Sequence, residues 1–535
     1  MSILSTLFRR RSNKNSGETS EKELYDKEGI PKQYDFSLEK NIKSIKEIFH
    51  STSDYEEINI KVGNLEGCVC YLGTTLNKLD LNSQVLEPLR SAFQKDEEAY
   101  RDMNLLREAY FPAVSYEFAE TLHQLIWYML NGFAVVMVDQ HTKALALNIG
   151  GTEKRSIVEP STQTIIRGPK DGFVEDLQTN LGLVRKRIKN PRLVFEEFNV
   201  GSDSNTQLVI GYMKGIVNED ILSEVKERIN KINASGLLDT GNVEEFITDE
   251  PYSFFPLVFN TERPDSISGN ILSGKIAIFL DGTPFVLVVP SVFTDFFQST
   301  EDYYQPFFMT SFIRVIRYMS FMITLTFPSL YVAITTFHHE LMPTSLLISV
   351  QSQREGVPFP AVIEILLMEL TFEVLREAGV RMPRAVGQTL SIVGALVIGQ
   401  AAVEAGLVSN VLVVIVAFSA IASFVSPIYN FSIAARLIRF ILIFMAASLG
   451  LYGIFLSLIV MVIHLVSLRT FGIPYLTPVA PFKLRDQTDV FIRFPLWADK
   501  FRPSYLMSKA PVKMKNTSKP SPPKQQQSEG KKENE

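Results

Sequence analysis

The chain has 535 residues, a formal net charge of −5, 21% charged residues and a mean hydropathy of +0.10. This length allows about two or three folded units, and so small a net charge does not indicate a nucleic-acid partner. The averages conceal a division, because residues 1–300 have a globular composition whereas residues 310–470 consist largely of Leu, Ile, Val, Phe, Ala and Ser. Cys68 and Cys70 are too close in sequence for an ordinary disulfide, so we predict two packed thiols in a reducing compartment.

Residues 1–33 are polar and basic, and we predict a disordered leader because they carry little apolar surface to bury. The opening run MSILSTLFRRRSNK has a shorter apolar stretch than a signal peptide, and its arginines follow that stretch instead of preceding it. We therefore expect residues 1–300 to stay on the cytoplasmic side of a membrane. A weak amphipathic membrane contact is the alternative role for the leader.

Strands that alternate with helices predict an α/β or α+β domain of two subdomains, residues 34–158 and 159–300. In the first subdomain the apolar spacing predicts helices at Leu38–Phe49, Val85–Phe93, Asp96–Tyr110 and Tyr116–Asn131, and strands at Ile58–Val62, Cys68–Leu72, Phe133–Asp139 and Ala144–Ile149. In the second it predicts helices at Phe173–Ile188 and Asn218–Ile232, strands at Arg192–Val200 and Gln207–Met213, and a hairpin of Lys275–Leu280 and Phe285–Val289.

The sequence contains no pattern that is typical of an enzyme. No HExxH or GxSxG motif is found, no cysteines and histidines cluster, and the six histidines are scattered. We therefore predict no enzymatic activity, no metal and no cofactor.

Residues 301–470 are predicted to form an α-helical, multi-span membrane domain. The candidate segments are Phe312–Phe337, which Pro328 is expected to kink, the shorter Leu341–Val350, the spans Val386–Gly406 and Val411–Pro427, and the run Phe440–Leu468. The last run is long for one span and short for two. Residues 471–535 are predicted to form a polar tail that is disordered from about residue 509.

A charged helical run, Pro360–Ala378, precedes the central spans. Its charged residues are Glu364, Glu369, Glu373, Arg376 and Glu377. Spacings of four, seven and eight residues return to the same face of a helix, so the last four share one face. Charges are expensive at bilayer depth. Either this helix lies at the water interface as a salt-bridged structural belt, or it lines a hydrated vestibule in which Arg376 partly neutralises a glutamate.

The span Val386–Gly406 has two unlike faces. At about 100° per residue, one narrow face holds Thr389, Leu396, Gln400 and Glu404. Small residues that favour close helix packing lie opposite, among them Gly394, Ala395 and Ala402. Polar groups interrupted by one leucine are typical of a pore-lining helix with a hydrophobic gate. The alternatives are that Gln400 and Glu404 bond across a bundle, or that Glu404 lies at the membrane interface.

The charge distribution leaves the topology open. A cytoplasmic N-terminal half and three arginine groups fit one side of the membrane by the positive-inside rule if Pro360–Ala378 crosses. These groups are Arg314 and Arg317, then Arg376, Arg381 and Arg384, then Arg436 and Arg439. The lysine-rich tail requires the same side and hence an even number of crossings. Either the charged helix does not span, or Phe440–Leu468 crosses twice.

Several long motifs resemble those of a known family, the A subunits of GerA-type spore germinant receptors. They are FVEDLQTNL (173–181), NTERPD (260–265), PFVLVVP (284–290), REGVPFPAVIEILLMELTFEVLREAGVRMP (354–383) and GQTLSIVGALVIGQAAVEAGLVS (387–409). Their order and spacing extend the resemblance from about residue 120 to about residue 495.

The resemblance implies a cytoplasmic two-part N-terminal domain and a multi-span domain in the inner membrane of a bacterial spore. It also implies a homo-oligomer in contact with membrane lipids, and a complex with a transporter-like B subunit, which binds the nutrient, and a lipoprotein C subunit. The implied activity is that of a ligand-gated ion channel that releases monovalent cations early in germination. Two alternatives remain: a secondary transporter or flippase that uses Glu369, Glu373 and Glu404 for coupling, and a non-conducting scaffold.

Overall fold

The computed structural model describes residues 34–62, 65–92, 102–112, 114–149, 159–160, 162–381 and 397–514. The chain divides into two compact units: residues 1–154 with 189–192, and residues 155–188 with 193–535. In its described part, the first unit contains one β-sheet with its helices. The second contains another sheet, a helical bundle and a C-terminal segment.

The first unit is built on an antiparallel sheet with strand order β1-β2-β4-β5-β3, which we call sheet one. Its strands are β1 (Tyr55–Val62), β2 (Leu65–Leu72), β3 (Tyr116–Ala119), β4 (Phe133–Val138) and β5 (Ala144–Asn148), and the helices are α1 (Leu38–Ile48), α2 (Lys78–Leu81), α3 (Glu87–Ala92), α4 (Met103–Tyr110) and α5 (Leu122–Leu130). Alternate residues of β2 face opposite cores, so Cys68 and Cys70 lie together. Both thiols are buried and free, with their Sγ atoms 3.5 Å apart.

One predicted helix of this unit was wrong in its first third. Tyr116–Asn131 is not a single helix, because Tyr116–Ala119 is an edge strand paired with β5. The helix begins only after Thr121, whose Oγ1 accepts a hydrogen bond from the backbone N–H of Gln124 at 3.2 Å. Apolar Tyr116 and Phe118 alternate with polar residues, which is the pattern of a strand, and the threonine cap marks the true start of the helix.

The second unit contains sheet two, an antiparallel sheet with strand order β6-β7-β9-β10-β8. The strands are β6 (Leu193–Val200), β7 (Thr206–Met213), β8 (Phe259–Thr261), β9 (Ile276–Leu280) and β10 (Val286–Val289), and the helices are α6 (Leu177–Arg187), α7 (Glu219–Asn230), α8 (Thr240–Ile247) and α9 (Pro264–Ser273). One face of this sheet packs on α7 and α8. The core on its other face continues into the helical bundle. The sequence analysis did not predict α8, β8 or α9.

The two sheets share one topology, which points to an internal duplication. Each begins with a helix, continues through two antiparallel strands, and places its third strand in chain order at the far edge. Local hydrogen bonds repeat as well. Asn41 in α1 exchanges two hydrogen bonds with the backbone of Asp35, at 3.0 and 2.7 Å. Asn180 in α6 does the same with the backbone of Val174, at 2.8 and 2.6 Å.

A second repeated contact ties each first helix to its sheet. Asp139 directly follows β4, and its carboxylate accepts a hydrogen bond from the N–H of Leu38 at 3.0 Å. Asp281 directly follows β9 and accepts from the N–H of Leu177 at 3.3 Å. Each aspartate satisfies an N–H group in the first turn of a helix, which would otherwise lack a partner.

Among the residues that the structure describes, six α-helical segments follow sheet two: α10 (Phe307–Thr336), α11 (Thr344–Arg354), α12 (Ala361–Arg381), α13 (residues 397–404), α14 (Asn410–Ser423) and α15 (Tyr429–Ser467). Pro328 lies inside α10. Two short strands, β11 (Arg469–Thr470) and β12 (Ile473–Pro474), open the C-terminal segment.

The longest helix, α15, is folded back on itself at Gly450, which has non-helical dihedral angles (φ 61°, ψ −141°). Phe431 near its start contacts Phe255 with ring centroids 6.2 Å apart, and His464 near its end lies 3.4 Å from the hydroxyl of Ser253. A straight helix would separate Phe431 from His464 by about 50 Å. The segment is therefore a hairpin with arms at residues 429–449 and 451–467. The predicted run Phe440–Leu468 therefore contains the second arm but only the last part of the first, and its predicted start is too late in the chain.

We call the end of the bundle that packs against Phe293–Phe297 the proximal end, and the end at Gly450 the distal end. Helix α10 joins the two ends. Phe321 in its first half stacks on Phe431, with ring centroids 5.0 Å apart. Just beyond its last turn, Phe337 and His338 pack so closely on Gly450 that a Cβ there would lie 2.8 Å from a ring carbon of His338.

Helix α14 runs from the distal to the proximal end. At its start, the hydroxyl of Ser409 lies 3.2 Å from that of Tyr331, near the distal end of α10. At its end, the carbonyl of Ser423 accepts a hydrogen bond from Ser432 at 2.8 Å, at the proximal start of α15.

Helix α12 runs in the same direction, because Glu364 lies beside Ser409 and Arg376 beside Ser423. The turn after α13 is again distal: Gly406 packs against the backbone that joins α11 to α12. The chain therefore returns to the distal end between α12 and α14.

The C-terminal segment returns to sheet two. The N–H of Phe471 donates to Asp249 at 2.6 Å, and the hydroxyl of Tyr475 donates to the carbonyl of Pro256 at 2.7 Å. Ser508 donates to the carbonyl of Ile216 at 2.6 Å, and hydrogen bonds continue to Lys513, beyond the predicted onset of disorder at about residue 509. The bundle is thus entered and left at its proximal end. The predicted disordered leader (1–33) and the rest of the predicted disordered tail (515–535) lie outside the described residues.

Candidate functional site in the helical bundle

A cluster of charged side chains lies inside the bundle between α12 and α15. Glu369 and Arg439 are each only 1% exposed, and their side chains meet at 2.7 Å. The same guanidinium reaches Glu373 at 3.2 Å. Glu373 also pairs with Arg436, and with Arg376 at 3.7 Å. We call these five residues the charged cluster.

Polar groups of α14 complete the cluster. The hydroxyl of Ser419 donates to Glu369 at 3.4 Å, and Arg376 donates to the hydroxyl of Ser423 at 3.0 Å. Three arginines against two glutamates leave one net positive charge. Each ion removed from water costs several kcal/mol, so such a group is stable only when its members pair and hydrogen-bond one another.

A second buried carboxylate, Glu364, lies towards the distal end and is 1% exposed. It accepts a hydrogen bond from the backbone N–H of Ser409 at 3.2 Å, at the start of α14, and pairs with Arg354 at 3.4 Å. A carboxylate at the N-terminus of a helix is stabilised by the helix dipole. Glu364 therefore ties α11, α12 and α14 together.

The predicted charged face of α12 divides in the structure. Glu369, Glu373 and Arg376 come together in the charged cluster, where Arg376 contacts Glu373, as in one of the two alternatives left open by the sequence. Glu377 instead points outward and pairs with Arg381, at 60% and 77% side-chain exposure.

The main partners of these glutamates, Arg436 and Arg439, were interpreted from sequence only as charges flanking a span. The acidic residues inside α12 and the arginines inside the apolar α15 were the signal from which their pairing could have been predicted.

The predicted pore-lining face is only partly described. Gln400 and Glu404 are exposed on α13, where the amide of Gln400 donates to Glu404 at 2.9 Å. Ala402, predicted to pack against neighbouring helices, is 8% exposed. Thr389 and Leu396 of the polar face, and Gly394 and Ala395 of the packing face, lie outside the described residues.

A third buried charge network joins the start of α10 to the C-terminal segment. Arg314 is fully buried and contacts Asp302 at 3.0 Å and Asp489 at 2.8 Å. Arg317 contacts Asp302 as well, at 2.8 Å. The Tyr303 hydroxyl donates to Asp489 at 2.6 Å, and burial raises the pKa of both the Asp489 carboxyl and the Tyr303 hydroxyl. The C-terminal segment is therefore fastened to the proximal end of the bundle.

Among the described residues, no three His, Cys, Asp or Glu side chains are grouped so as to hold a metal ion. In the clusters described above, arginines hold the carboxylates in ion pairs.

The chain combines two antiparallel sheets and their helices with an apolar helical bundle that has ion pairs in its interior. It is therefore a protein of two parts, an α/β part and an apolar helical part. The chain matches the model of the family described as Bacillus/Clostridium GerA spore germination protein over residues 43–505, and it belongs to that family. The family predicted from the motifs is thereby confirmed.

Similar proteins cover nearly the whole chain. It is 44% identical over 492 residues to spore germination protein KA of Bacillus subtilis (strain 168), which covers 91% of this chain and 90% of that protein. It is 42% identical over 486 residues to the uncharacterized membrane protein YfkQ of the same organism, covering 90% and 93%. The crystal structure of the N-terminal domain of the A subunit of the Bacillus megaterium spore germinant receptor GerK3 aligns with 49% of this chain and 98% of that domain, at 29% identity and a TM-score of 0.38.

Proposed function

We propose that this chain is the A subunit of a nutrient germinant receptor in the inner membrane of a bacterial spore. Membership of the GerA family over residues 43–505 supports a role in spore germination. We infer that the α/β half is cytoplasmic, and that the partners are a transporter-like B subunit, which binds the nutrient, and a lipoprotein C subunit.

We propose that the bundle spans the membrane. Among the described residues, two helices are long and apolar enough to cross a bilayer, Phe307–Thr336 and Tyr429–Ser467. The hairpin arms of the second, residues 429–449 and 451–467, are each about 25–32 Å long, which is close to the ~30 Å thickness of the hydrocarbon layer. Large apolar side chains of the second arm point outward, such as Tyr452 and Phe455 at 68% and 63% exposure. Apolar groups outside and paired charges inside suit a bundle in lipid.

The hairpin also supports one solution to the topology. The bundle begins and ends beside sheet two, so its helices make an even number of passes. This supports the alternative with two crossings in this part of the chain, made by residues 429–449 and 451–467 instead of by Phe440–Leu468 alone, with the N-terminal half and the C-terminal segment on the same side of the membrane.

We further propose that several copies form a ligand-gated channel for monovalent cations, lined by Thr389, Leu396, Gln400 and Glu404. This proposal is based on the two unlike sides of α13: Ala402 is buried within the chain, whereas Gln400 and Glu404 are exposed. An exposed glutamate is costly against lipid and stable in a water-filled pore formed with neighbouring copies. Nutrient binding to the B subunit would then shift the equilibrium between closed and open states.

The test is ion flux through the purified protein in liposomes. Leu396→Ala removes the proposed apolar gate and is expected to raise flux by about tenfold, which corresponds to about 1.4 kcal/mol taken off the barrier to ion passage. Glu404→Gln should reduce the preference for cations over anions. Ile398→Ala is the matched control: it shortens an exposed apolar side chain two positions further along the chain, outside the proposed pore-lining set, and should leave flux unchanged.

Spores supply the partner subunits that liposomes lack. Spores carrying Leu396→Ala are expected to release monovalent cations without nutrient. If the variant leaks neither in spores nor from confirmed oligomers in liposomes, the channel proposal is wrong and a non-conducting scaffold is favoured. Flux that requires a co-transported substrate would favour a secondary transporter or flippase.

A further inference from the structure

The C-terminal segment presents a loop with an apolar tip. The N–H of Phe494 donates to the carbonyl of Thr488 at 2.9 Å, and Asp489 and Arg493 form an antiparallel bridge. These contacts close residues 488–494 into a tight loop, which we call the tip loop. Two adjacent apolar side chains of this loop, Phe491 and Ile492, are 45% and 52% exposed. Two exposed side chains are not a docking surface by themselves, so the position of the loop relative to the bundle decides what covers them.

Three contacts hold the tip loop against α10. Asp489 pairs with Arg314 at 2.8 Å, and the N–H of Arg493 donates to the hydroxyl of Ser311 at 3.1 Å. Further along the helix, the ring of Phe491 packs on that of Tyr318 with centroids 4.9 Å apart. The loop therefore lies along the first three turns of α10 with its tip at the level of Tyr318.

The length of α10 indicates where the tip loop lies relative to a membrane. The helix has 30 residues and is about 45 Å long, about 15 Å more than the hydrocarbon layer. The surplus corresponds to about ten residues. At the proximal end these residues reach to the buried Arg314 and Arg317, whose pairing with Asp302 suits a position at the edge of the hydrocarbon. The tip loop thus lies where the hydrocarbon begins.

The neighbouring surface of α10 has the same character. Phe308 and Phe312, in the first two turns of the helix, are 77% and 66% exposed. The start of α10 beside the tip loop thus also exposes aromatic side chains. Aromatic side chains are enriched at the boundary between lipid headgroups and hydrocarbon.

We propose that the tip loop inserts Phe491 and Ile492 into the headgroup boundary of the bilayer, as an interfacial anchor for the C-terminal segment. This inference rests on the proposed function, in which the bundle spans the membrane. The partner is the lipid of the leaflet at the proximal end. Because the same segment is hydrogen-bonded to sheet two and ion-paired to α10, the anchor would hold the sheet at a set distance from the membrane.

The chain provides its own reporter, because it contains only two tryptophans. Trp497 is three residues beyond the tip loop, and Trp127 is in α5 of the first unit. In proteoliposomes, Trp127→Phe leaves Trp497 as the sole emitter. We expect lipids brominated near the headgroup end of the acyl chain to quench it more strongly than lipids brominated near the methyl end. Trp497→Phe, which leaves Trp127, is the matched control and measures the quenching that does not come from Trp497.

Two further variants distinguish failure of the proposed anchor from failure of the proposed membrane-spanning bundle. Ile492→Asp in the Trp127→Phe background should abolish the quenching of Trp497 while the unfolding temperature in detergent stays unchanged, because Ile492 is half-exposed. Phe455→Trp in a chain without the two native tryptophans reports on the bundle and should be quenched by bromine near the methyl end. Quenching in the Phe455→Trp variant with none at Trp497 overturns the anchor and leaves the membrane-spanning bundle intact. Quenching at neither position overturns both.

Discussion

The two sheets of this protein have the same topology and the same helix-anchoring contacts, yet they are covered differently. Sheet one has a core on each face, and both cores are made by helices of its own unit. Sheet two has helices of its own on one face, while the core on its other face continues into the helical bundle.

The ion pairs of the two units differ in how deeply they are buried. In the described part of the first unit, each ion pair has at least one partner whose side chain is more than 40% exposed. The second unit holds pairs that are almost fully buried, such as Arg263–Asp265 with side chains 3% and 5% exposed. Two sheets of one topology can therefore share local hydrogen bonds while only one of them adjoins a helical bundle through buried ion pairs. We call the ion pairs of Asp302 and Asp489 with Arg314 and Arg317 the charged junction.

The largest effect is expected from breaking that junction. Asp302→Ala removes the carboxylate that Arg314 and Arg317 share, and neither guanidinium can lose its charge by deprotonation. We expect the second unit to lose about 3–5 kcal/mol of unfolding free energy. The measurement is hydrogen–deuterium exchange of the strands of sheet two in the full-length protein.

Exposed ion pairs of similar geometry provide the control for Asp302→Ala. Glu377→Ala breaks the pair with Arg381, and Lys46→Ala breaks the pair with Glu57 in the first unit; each should change stability by less than about 1 kcal/mol. Equal losses from all three variants would show that burial of charge does not distinguish the two units.

A smaller effect tests the duplication itself. Asn41→Ala and Asn180→Ala each delete a buried amide that makes two hydrogen bonds to the backbone before its helix. We expect each to cost about 1–3 kcal/mol, with faster hydrogen exchange confined to the sheet that carries the change. A large effect at one asparagine and none at the other would contradict the equivalence of the two contacts. The exposed Asn104→Ala, in α4, is the matched control for loss of an asparagine.

The smallest effect depends on pH and should be confined to the second unit. Burial, followed by the charges of Asp239 and Glu245, raises the pKa of Glu244 to about 7. A carboxyl with a raised pKa binds its proton more tightly in the folded state, so the unfolding free energy should fall as the pH rises from about 4.5 to about 7.

We expect this decrease to be about 1 kcal/mol, because Glu244 is partly exposed to solvent. Unfolding of the second unit, followed at several pH values, is the measurement. Glu244→Gln should flatten the dependence over this interval. A wild-type profile that rises with pH there would contradict the assignment.

Much of the fold follows from local patterns in the sequence. Alternating apolar residues and turn signals predicted the strands from Leu193 to Met213 and the hairpin around Asp281 close to their observed bounds. Such patterns predict an element correctly when it is long enough to show a period and buries one of its faces. They fail for the short edge strands: Phe259–Thr261 has too few residues to show a period, and Tyr116–Ala119 is masked by the helix that follows it.

The candidate site was predictable only in part. The spacing in α12 placed Glu369, Glu373 and Arg376 on one face, and they do lie together. Their pairing with Arg436 and Arg439 could not be read from spacing, because the partners lie more than 60 residues further along the chain. Gly450 and Gly453 indicated a possible bend, but no polar residues mark a turn there, so the sequence left open whether this run passes once or twice. In the structure Gly453 packs against the backbone of the first arm, where a Cβ would clash with the carbonyl of Met445.

The sequence by itself determined the family, the division into an α/β half and an apolar half, and the faces of the amphipathic helices. Composition and periodicity carry these properties, because burial of one face is decided residue by residue along each element. Only the tertiary structure decided that sheet two repeats sheet one, that α15 is a hairpin, and that the charges of α12 are held by arginines of α15. These properties depend on contacts between residues far apart in the chain, which become favourable only when the whole unit has excluded water and paired its buried charges.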